Sequence, residues 1–282
     1  MYQDAQTFPA TRTLPPLRPI LRWAGSKKRQ FQTLQKFFPS DFKSYVEPFA
    51  GSASFLFGIR PQRAVLNDIN QDVISVYKFI CSDTDQLHGR FMSIPRNKEA
   101  YYMARNEFNN KDPGLERSAL FLYLNRNCFN GIYRVNKDGK FNVPFADRRV
   151  SPYLTDNEFR DAVDVVKAAQ FHNKDFEEFC KSEIESDDFV FIDPPYYSSS
   201  IKIFNEYNKD PFDDRDFDRL VSVLDYINCK GAKFLLTYPN SPGMSQLTAK
   251  WRTKNFSVLR TIAGNPAKRI RDEEIIIANY DC

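Results

Sequence analysis

Apolar positions in this chain fall into short dense runs bounded by polar turns, the length of buried strands rather than of long helices. Ser44-Tyr45-Val46-Glu47-Pro48-Phe49 reads as a strand, Ala50-Gly51-Ser52-Ala53 as a tight turn, and Phe55-Leu56-Phe57 as the start of a helix. Ala64-Val65-Leu66 predicts a second strand ending at Asn67-Asp68-Ile69-Asn70, which places Asp68 21 positions beyond Glu47. The alternation lapses over residues 71–165 and resumes at Gln170-Phe171-His172. Phe189-Val190-Phe191-Ile192 and Lys233-Phe234-Leu235-Leu236-Thr237-Tyr238 follow, then a closing pair near Val258 and over Glu274 to Tyr280. The pattern predicts an α/β fold in which residues 19–70 and 166–282 build an open sheet and 71–165 are an insertion. The first 18 residues carry Pro9, Pro15 and Pro16 without an apolar core, so they read as a mobile tail and not as a signal sequence.

One strand end carries unusual chemistry. Phe189 to Ile192 stops at Asp193-Pro194-Pro195-Tyr196, which puts a carboxylate, a rigid carbonyl and an aromatic ring at the carboxyl edge of the sheet, where open α/β folds bind ligands. The prolines remove backbone donors, so the turn offers acceptors only, the Asp193 carboxylate and the Pro194 carbonyl. Such a turn suits a planar amine; its plainer reading is a strand terminator. At the first strand, Glu47 repels phosphate but attracts an ammonium or hydroxyls. Asp68, at the end of the second, is where this architecture holds ribose hydroxyls. Asp175-Phe176 reads either as a helix cap followed by a core ring or as an acceptor beside an aromatic face for an adenine amine. Upstream, Arg22-Trp23-Ala24-Gly25-Ser26-Lys27 lets the backbone pass closely at Ala24 and Gly25 while offering an indole, with Lys27 a partner for a cofactor carboxylate.

Composition narrows the chemistry. The chain has 282 residues, 42% of them hydrophobic, enough for one sizeable core with an inserted subdomain. Forty Lys and Arg against 36 Asp and Glu leave a net charge of +4, which permits a polyanionic partner without demonstrating one. The five cysteines lack CxxC spacing and fit reduced thiols in a cytoplasm, with neither zinc nor disulfides expected. Two histidines leave little material for a histidine base or a histidine-rich metal site. No run approaches the roughly 20 apolar residues of a membrane span.

Within the insertion, the apolar stretch at Leu122-Tyr123-Leu124 gives way to Asn125-Arg126-Asn127-Cys128-Phe129-Asn130-Gly131-Ile132-Tyr133-Arg134-Val135-Asn136. Lys137-Asp138-Gly139-Lys140 then predicts a hairpin turn leading into Phe141-Asn142-Val143-Pro144-Phe145. Arg, Asn and aromatic side chains in such a loop are those that read base edges, contact phosphates and fill gaps in a base stack.

Four of these motifs, in this order, resemble Dam-type DNA adenine methyltransferases of the alpha group, D12 class: Arg22 to Lys27, Glu47-Pro48-Phe49-x-Gly51, Asn130 to Asn136 with Phe141 to Phe145, and Asp193 to Tyr196. The resemblance runs from about residue 20 to the carboxyl end. Ser26 and Ala53 depart from it, since the family usually has Gly at both. The resemblance implies a Rossmann-like S-adenosylmethionine-dependent methyltransferase sheet with an inserted, mainly helical DNA-recognition domain. It also implies methyl transfer from S-adenosyl-L-methionine to the N6 amine of a flipped adenine in double-stranded DNA, by a monomer that needs no metal. Asp193, Pro194, Pro195 and Tyr196 then form the reacting turn. Trp23, Ala24, Gly25, Lys27, Glu47, Phe49, Gly51, Asp68, Asp175 and Phe176, with Asp193, line the cofactor site. Arg22, Phe129, Asn130, Ile132, Arg134 and Pro144 are placed at the bases, and Arg105, Asn136 and Asn142 near phosphates. The Arg134 loop looks like that of members methylating GATC. A methyltransferase of cytosine N4 or of RNA would use the same acceptors, although Asp at position 193 and the inserted loop favour adenine in DNA. A catalytically silent DNA-binding relative would lose the acceptors, and a dinucleotide-dependent enzyme would need a fuller glycine turn.

Overall fold

A computed structural model of the chain describes residues 15–147, 152–196, 212–240, 244–261 and 269–281, of which 258–261 and 269–272 are described by their backbone alone. Most of the tail expected over 1–18 therefore lies outside the described residues. In chain order the helices are α1 (Phe31–Leu34), α2 (Leu56–Ile59), α3 (Gln71–Ser82), α4 (Thr84–Ser93), α5 (Lys98–Asn110), α6 (Leu115–Asn127), α7 (Asp156–Lys167), α8 (Phe176–Glu183), α9 (Asp214–Cys229) and α10 (Ser245–Lys250). The strands are β1 (Tyr45–Glu47), β2 (Ala64–Asn67), β3 (Ala169–His172), β4 (Phe189–Ile192), β5 (Lys233–Pro239), β6 (Arg252–Thr261) and β7 (Arg269–Ala278).

The strands form one sheet in the order β3-β2-β1-β4-β5-β7-β6. From β3 to β5 all neighbours are parallel; β7 pairs antiparallel with β5, and β6 antiparallel with β7. Chain order reverses between β1 and β4, and that reversal is the switch point at which a Rossmann-like sheet opens a crevice at its carboxyl edge. The short central strands are buried along their whole length, as covering on both faces demands. Alternation divides them between two cores: Tyr45, Leu66, Phe189 and Phe191 join one cluster, while Val46, Val65, Val190 and Ile192 join the other beneath α8 and α9.

The insertion does not have a core of its own. Phe108, Phe121, Leu122 and Phe141 belong to the same cluster as the sheet residues Tyr45 and Phe171. The helix α6 packs on α3, α4 and α5, which explains why it is buried around most of its circumference, while α3 and α7 pack against β3. Local signals agree with these bounds. Asn70 caps α3 by accepting from Asp72 and Val73, and Thr155 and Glu158 form a capping box on α7. The expected hairpin is present as two isolated bridges, Val135 with Phe141 and Cys128 with Phe145. Among the described residues no helix is long and apolar enough to cross a membrane.

Candidate active site

Three acids meet at the carboxyl edge: Glu47 closes β1, Asp68 follows β2 and Asp193 follows β4. The nearly buried Asp68 carboxylate accepts from the Gly51 N–H at 2.7 Å and the Asn70 N–H at 2.8 Å. Its first task is thus to tie the turn after β1 to the start of α3, and any ribose contact must use its remaining lone pairs. Gly51 has φ +48°, and a Cβ there would lie 2.6 Å from Cδ1 of Trp23, so both conformation and contact require glycine. Ala53 holds φ +49° in the same turn, fully buried. Ser26, the other departure from the family pattern, accepts a hydrogen bond from Ser52 at 3.2 Å and so links this turn to the segment carrying Trp23. Ala24 and Gly25 are exposed in a bend closed by Ser26 N–H to the Trp23 carbonyl.

Glu47 is buried, and its Oε2 has no hydrogen-bond partner among the described residues. Burial, reinforced by the charges of Asp193 and Asp68, holds its carboxyl well above the usual carboxylate range. Burial likewise raises Asp68, against the pull of its two N–H donors.

Asp193 is positioned asymmetrically. Its Oδ1 accepts from Lys27 Nζ at 2.7 Å and from the Thr237 hydroxyl at 2.9 Å, while Oδ2 takes no partner among the described residues. Burial raises its carboxyl and the Lys27 ammonium pulls it back down. Lys27, only 4% exposed, also donates to the Tyr196 hydroxyl and lies 3.4 Å from Glu274 Oε2. Three oxygens thus surround an ammonium with three donors, and a cofactor carboxylate, the partner expected for Lys27, would have to compete with them. Glu274, on β7 and 1% exposed, accepts from the Tyr196 hydroxyl at 3.1 Å through Oε1. Its role was missed in the sequence because it precedes Ile275-Ile276-Ile277 in what reads as an ordinary edge strand. The Tyr196 ring packs edge-on against Tyr238, with centroids 5.5 Å apart. Pro194 is buried and Pro195 exposed, and no described residue donates to the Pro194 carbonyl.

Beside the crevice, Phe49 packs on Phe176 with centroids 5.2 Å apart. Asp175 caps α8, accepting from the Glu177 and Glu178 N–H groups, and pairs with Arg219. The cap reading of Asp175 and the core reading of Phe176 are therefore both realised, leaving the Asp175 carboxylate partly committed before any ligand arrives.

A second cluster faces the same edge from the insertion. Trp23 stacks on Tyr133, with centroids 5.7 Å apart and planes 19° from parallel, joining the segment before α1 to the hairpin loop. Arg22 is held at its backbone by Asn125, which takes the N–H and donates to the carbonyl, and its side chain lies so close over Gly131 that a Cβ there would meet it at 2.6 Å. Asn130 (φ +55°) and Pro144 are exposed, and Phe129 and Ile132 are half-buried. Arg105 donates to the Val143 carbonyl at 3.3 Å and lies over the Tyr102 ring. Two residues expected at phosphates have other primary partners. Asn136 Oδ1 accepts from the Asp138 and Lys140 N–H groups, making it the builder of its own turn, and its amide faces the Asp138 carboxylate. Asn142 Oδ1 accepts from Arg134 Nε at 2.8 Å.

The residues present suit a cationic cofactor. Glu47, Asp68, Asp193 and Glu274 stand at the carboxyl edge of the sheet with the buried ammonium of Lys27 beside Asp193 and Glu274, and Glu47 Oε2 is an orphaned acceptor. That excess of acid rejects a pyrophosphate and accommodates ammonium, sulfonium or hydroxyl groups.

Comparison with known proteins agrees. The family model for D12 class N6 adenine-specific DNA methyltransferases matches residues 23–263. The Type II methyltransferase M1.LlaDCHI of Lactococcus lactis subsp. cremoris is 30% identical over 94% of this chain and 96% of that relative. For the Type II methyltransferase M.MjaIII of Methanocaldococcus jannaschii the identity is 30% over 94% of this chain and 99% of the relative. The DNA adenine methylase of Haemophilus influenzae is 30% identical, with 92% of each chain covered. With motif order, sheet topology and sequence similarity in agreement along nearly its whole length, the chain belongs to the D12 class N6 adenine-specific DNA methyltransferases.

Proposed function

We propose that the protein transfers the methyl of S-adenosyl-L-methionine to N6 of an adenine flipped out of duplex DNA, within GATC. The observation that carries this reading is the divided Asp193 carboxylate: Oδ1 is anchored by Lys27 and Thr237, Oδ2 takes no partner among the described residues, and the next residue, Pro194, has a carbonyl to which no described residue donates. Two fixed acceptors at one sheet edge match the two N–H groups of an exocyclic amine. That amine is a poor nucleophile because its lone pair is conjugated into the ring. Acceptors that accept a hydrogen bond from each N–H favour a pyramidal nitrogen, whose lone pair is then free to attack the methyl as its bond to sulfur breaks; the methylated nitrogen sheds one proton after transfer, and positioning and fixed dipoles supply most of the acceleration. S-adenosyl-L-methionine supplies a methyl already activated on a sulfonium. Glu47 and Asp68 would hold its charged and hydroxyl groups, with Phe49 and Phe176 as the apolar wall. Tyr196 would stack on the extruded base and offset an unstacking cost of a few kcal/mol. The GATC assignment rests on the likeness of the Arg134 loop.

The test is product analysis. Duplex DNA incubated with the protein and methyl-labelled cofactor should yield N6-methyladenine on hydrolysis to nucleosides, and digestion with enzymes blocked at methylated GATC should report protection. Label in N4-methylcytosine, or transfer to RNA in preference to duplex DNA, would overturn the reading. Protection at other sites would overturn GATC alone.

A further inference from the structure

The Arg134 side chain is not merely presented by its loop; it is aimed. Arg134 and Asn142 face each other across the hairpin, linked at both ends: the Asn142 N–H donates to the Arg134 carbonyl at 3.1 Å, and Arg134 Nε donates to Asn142 Oδ1 at 2.8 Å. Asn142 is itself fixed from both sides. Asn109 on α5 takes the Phe141 N–H and donates to the Phe141 carbonyl, and the Val143 carbonyl accepts from Tyr101 and Arg105. The turn beyond is closed by Asn136 N–H to the Lys140 carbonyl and Gly139 N–H to the Asn136 carbonyl, both 2.9 Å.

This anchoring has a chemical consequence. A guanidinium can grip a pair of acceptors by its Nε/Nη edge or end-on by its two Nη groups. With Nε bound to Asn142, the end-on edge remains, and neither Nη has a partner among the described residues. Asn in place of Asp matters too, because a neutral amide oxygen fixes the fork without neutralising it, whereas a carboxylate would capture it as a bidentate ion pair.

We propose that Asn142 is a specificity-positioning residue, holding Arg134 so that its two Nη groups address O6 and N7 of one guanine. The inference rests on the reading that the chain methylates duplex DNA and that Arg134 reads a base. It replaces the phosphate role expected of Asn142.

The experiment measures single-turnover methylation of the cognate duplex and its single-base variants by the wild type, Arg134→Ala, Asn142→Ala, Asn142→Asp and the Arg134→Ala/Asn142→Ala double variant. The salt dependence of duplex binding is measured alongside. Arg134→Ala should lose discrimination at one guanine position by about tenfold or more, within the range for a bidentate pair. Asn142→Ala should relax the same position and no other, with an unchanged salt slope, and the double variant should discriminate no worse than Arg134→Ala. Asn142→Asp should slow the cognate duplex more than Asn142→Ala does. A uniform loss on all duplexes, with the salt slope reduced by about one for Asn142→Ala, would make it a phosphate contact and overturn the proposal. So would additive losses in the double variant. Thermal melting of each variant identifies misfolding; if Asn142→Ala fails to fold, Asn142→Ser takes its place with the same criteria. Arg134→Ala without a positional effect would reject the base-reading role and the proposal together, whereas absence of N6-methyladenine with the wild type would reject the underlying function.

Discussion

Replacing Lys27 with methionine removes the ammonium that lies 2.7 Å from Asp193 and 3.4 Å from Glu274, and leaves two acids facing each other in a site where Lys27 is 4% and Glu274 1% exposed. Deleting one partner of a buried ion pair costs about 3–5 kcal/mol. If about 3 kcal/mol of this falls on ionised Asp193, its carboxyl rises by roughly two pH units, at 1.36 kcal/mol per unit. The sign is set by the arrangement: burial already raises Asp193, and Lys27 is what lowers it. In the proposed mechanism, protonated Asp193 would offer the adenine amine a hydroxyl where an acceptor is needed. Lys27→Met should therefore displace the acid limb of the kcat profile upward by about two units, with activity recovering in alkaline buffer and the cofactor Kd changed less than about threefold. Stopped-time methylation from acid to alkaline pH, with calorimetry for the cofactor, measures both. An unmoved acid limb combined with a tenfold weaker cofactor would refute this reasoning and restore the pairing of Lys27 with a cofactor carboxylate.

Gly51→Ala introduces a side chain at φ +48° with its Cβ 2.6 Å from Trp23, so cofactor Kd should rise at least about tenfold and Tm should fall by several degrees; unchanged calorimetric affinity would contradict this. Ala53→Gly relieves about 1–2 kcal/mol of left-handed strain. It loses roughly 0.8 kcal/mol of methyl burial and 0.5–1 kcal/mol of backbone entropy. Its Tm should therefore stay within about 3 °C of wild type by calorimetry. Because the Glu47 carboxyl sits well above its ordinary range, a cationic ligand that favours the ionised form should release protons on binding and bind more tightly as pH rises, levelling off above the folded pKa. Titrations in buffers of different ionisation enthalpy should show that release in the wild type and not in Glu47→Gln; buffer-independent heats in the wild type would contradict it.

Local chemistry was readable because short buried strands and their terminal acids are contiguous: Glu47, Asp68 and Asp193 each end or follow a strand whose apolar run is visible by eye. Partnerships across the fold were not. Lys27 and Asp193 are 166 positions apart, so the sequence offered the lysine to a cofactor carboxylate, and only the fold shows it donating to Asp193. Glu274 gave little signal, since an acid ending the run Asp272-Glu273-Glu274 before Ile275-Ile276-Ile277 is common on a solvated edge, whereas β7 lies between β5 and β6 and Glu274 is buried there. The Asn142 contact was within reach of the sequence: a turn over Lys137 to Lys140 that pairs Val135 with Phe141 also sets Arg134 opposite Asn142. The insertion was visible as a lapse in alternation, but its fusion with the sheet core depends on α3 and α7 docking, which periodicity does not encode.

The most direct test of the central claim is single-turnover methyl transfer by Asp193→Ala on duplex DNA, with duplex affinity measured in the same buffer. Removing the divided carboxylate should abolish turnover while leaving DNA binding within a few-fold of wild type, because phosphate contacts supply most of that affinity. A folded Asp193→Ala protein that retains a tenth or more of the wild-type rate would contradict the account.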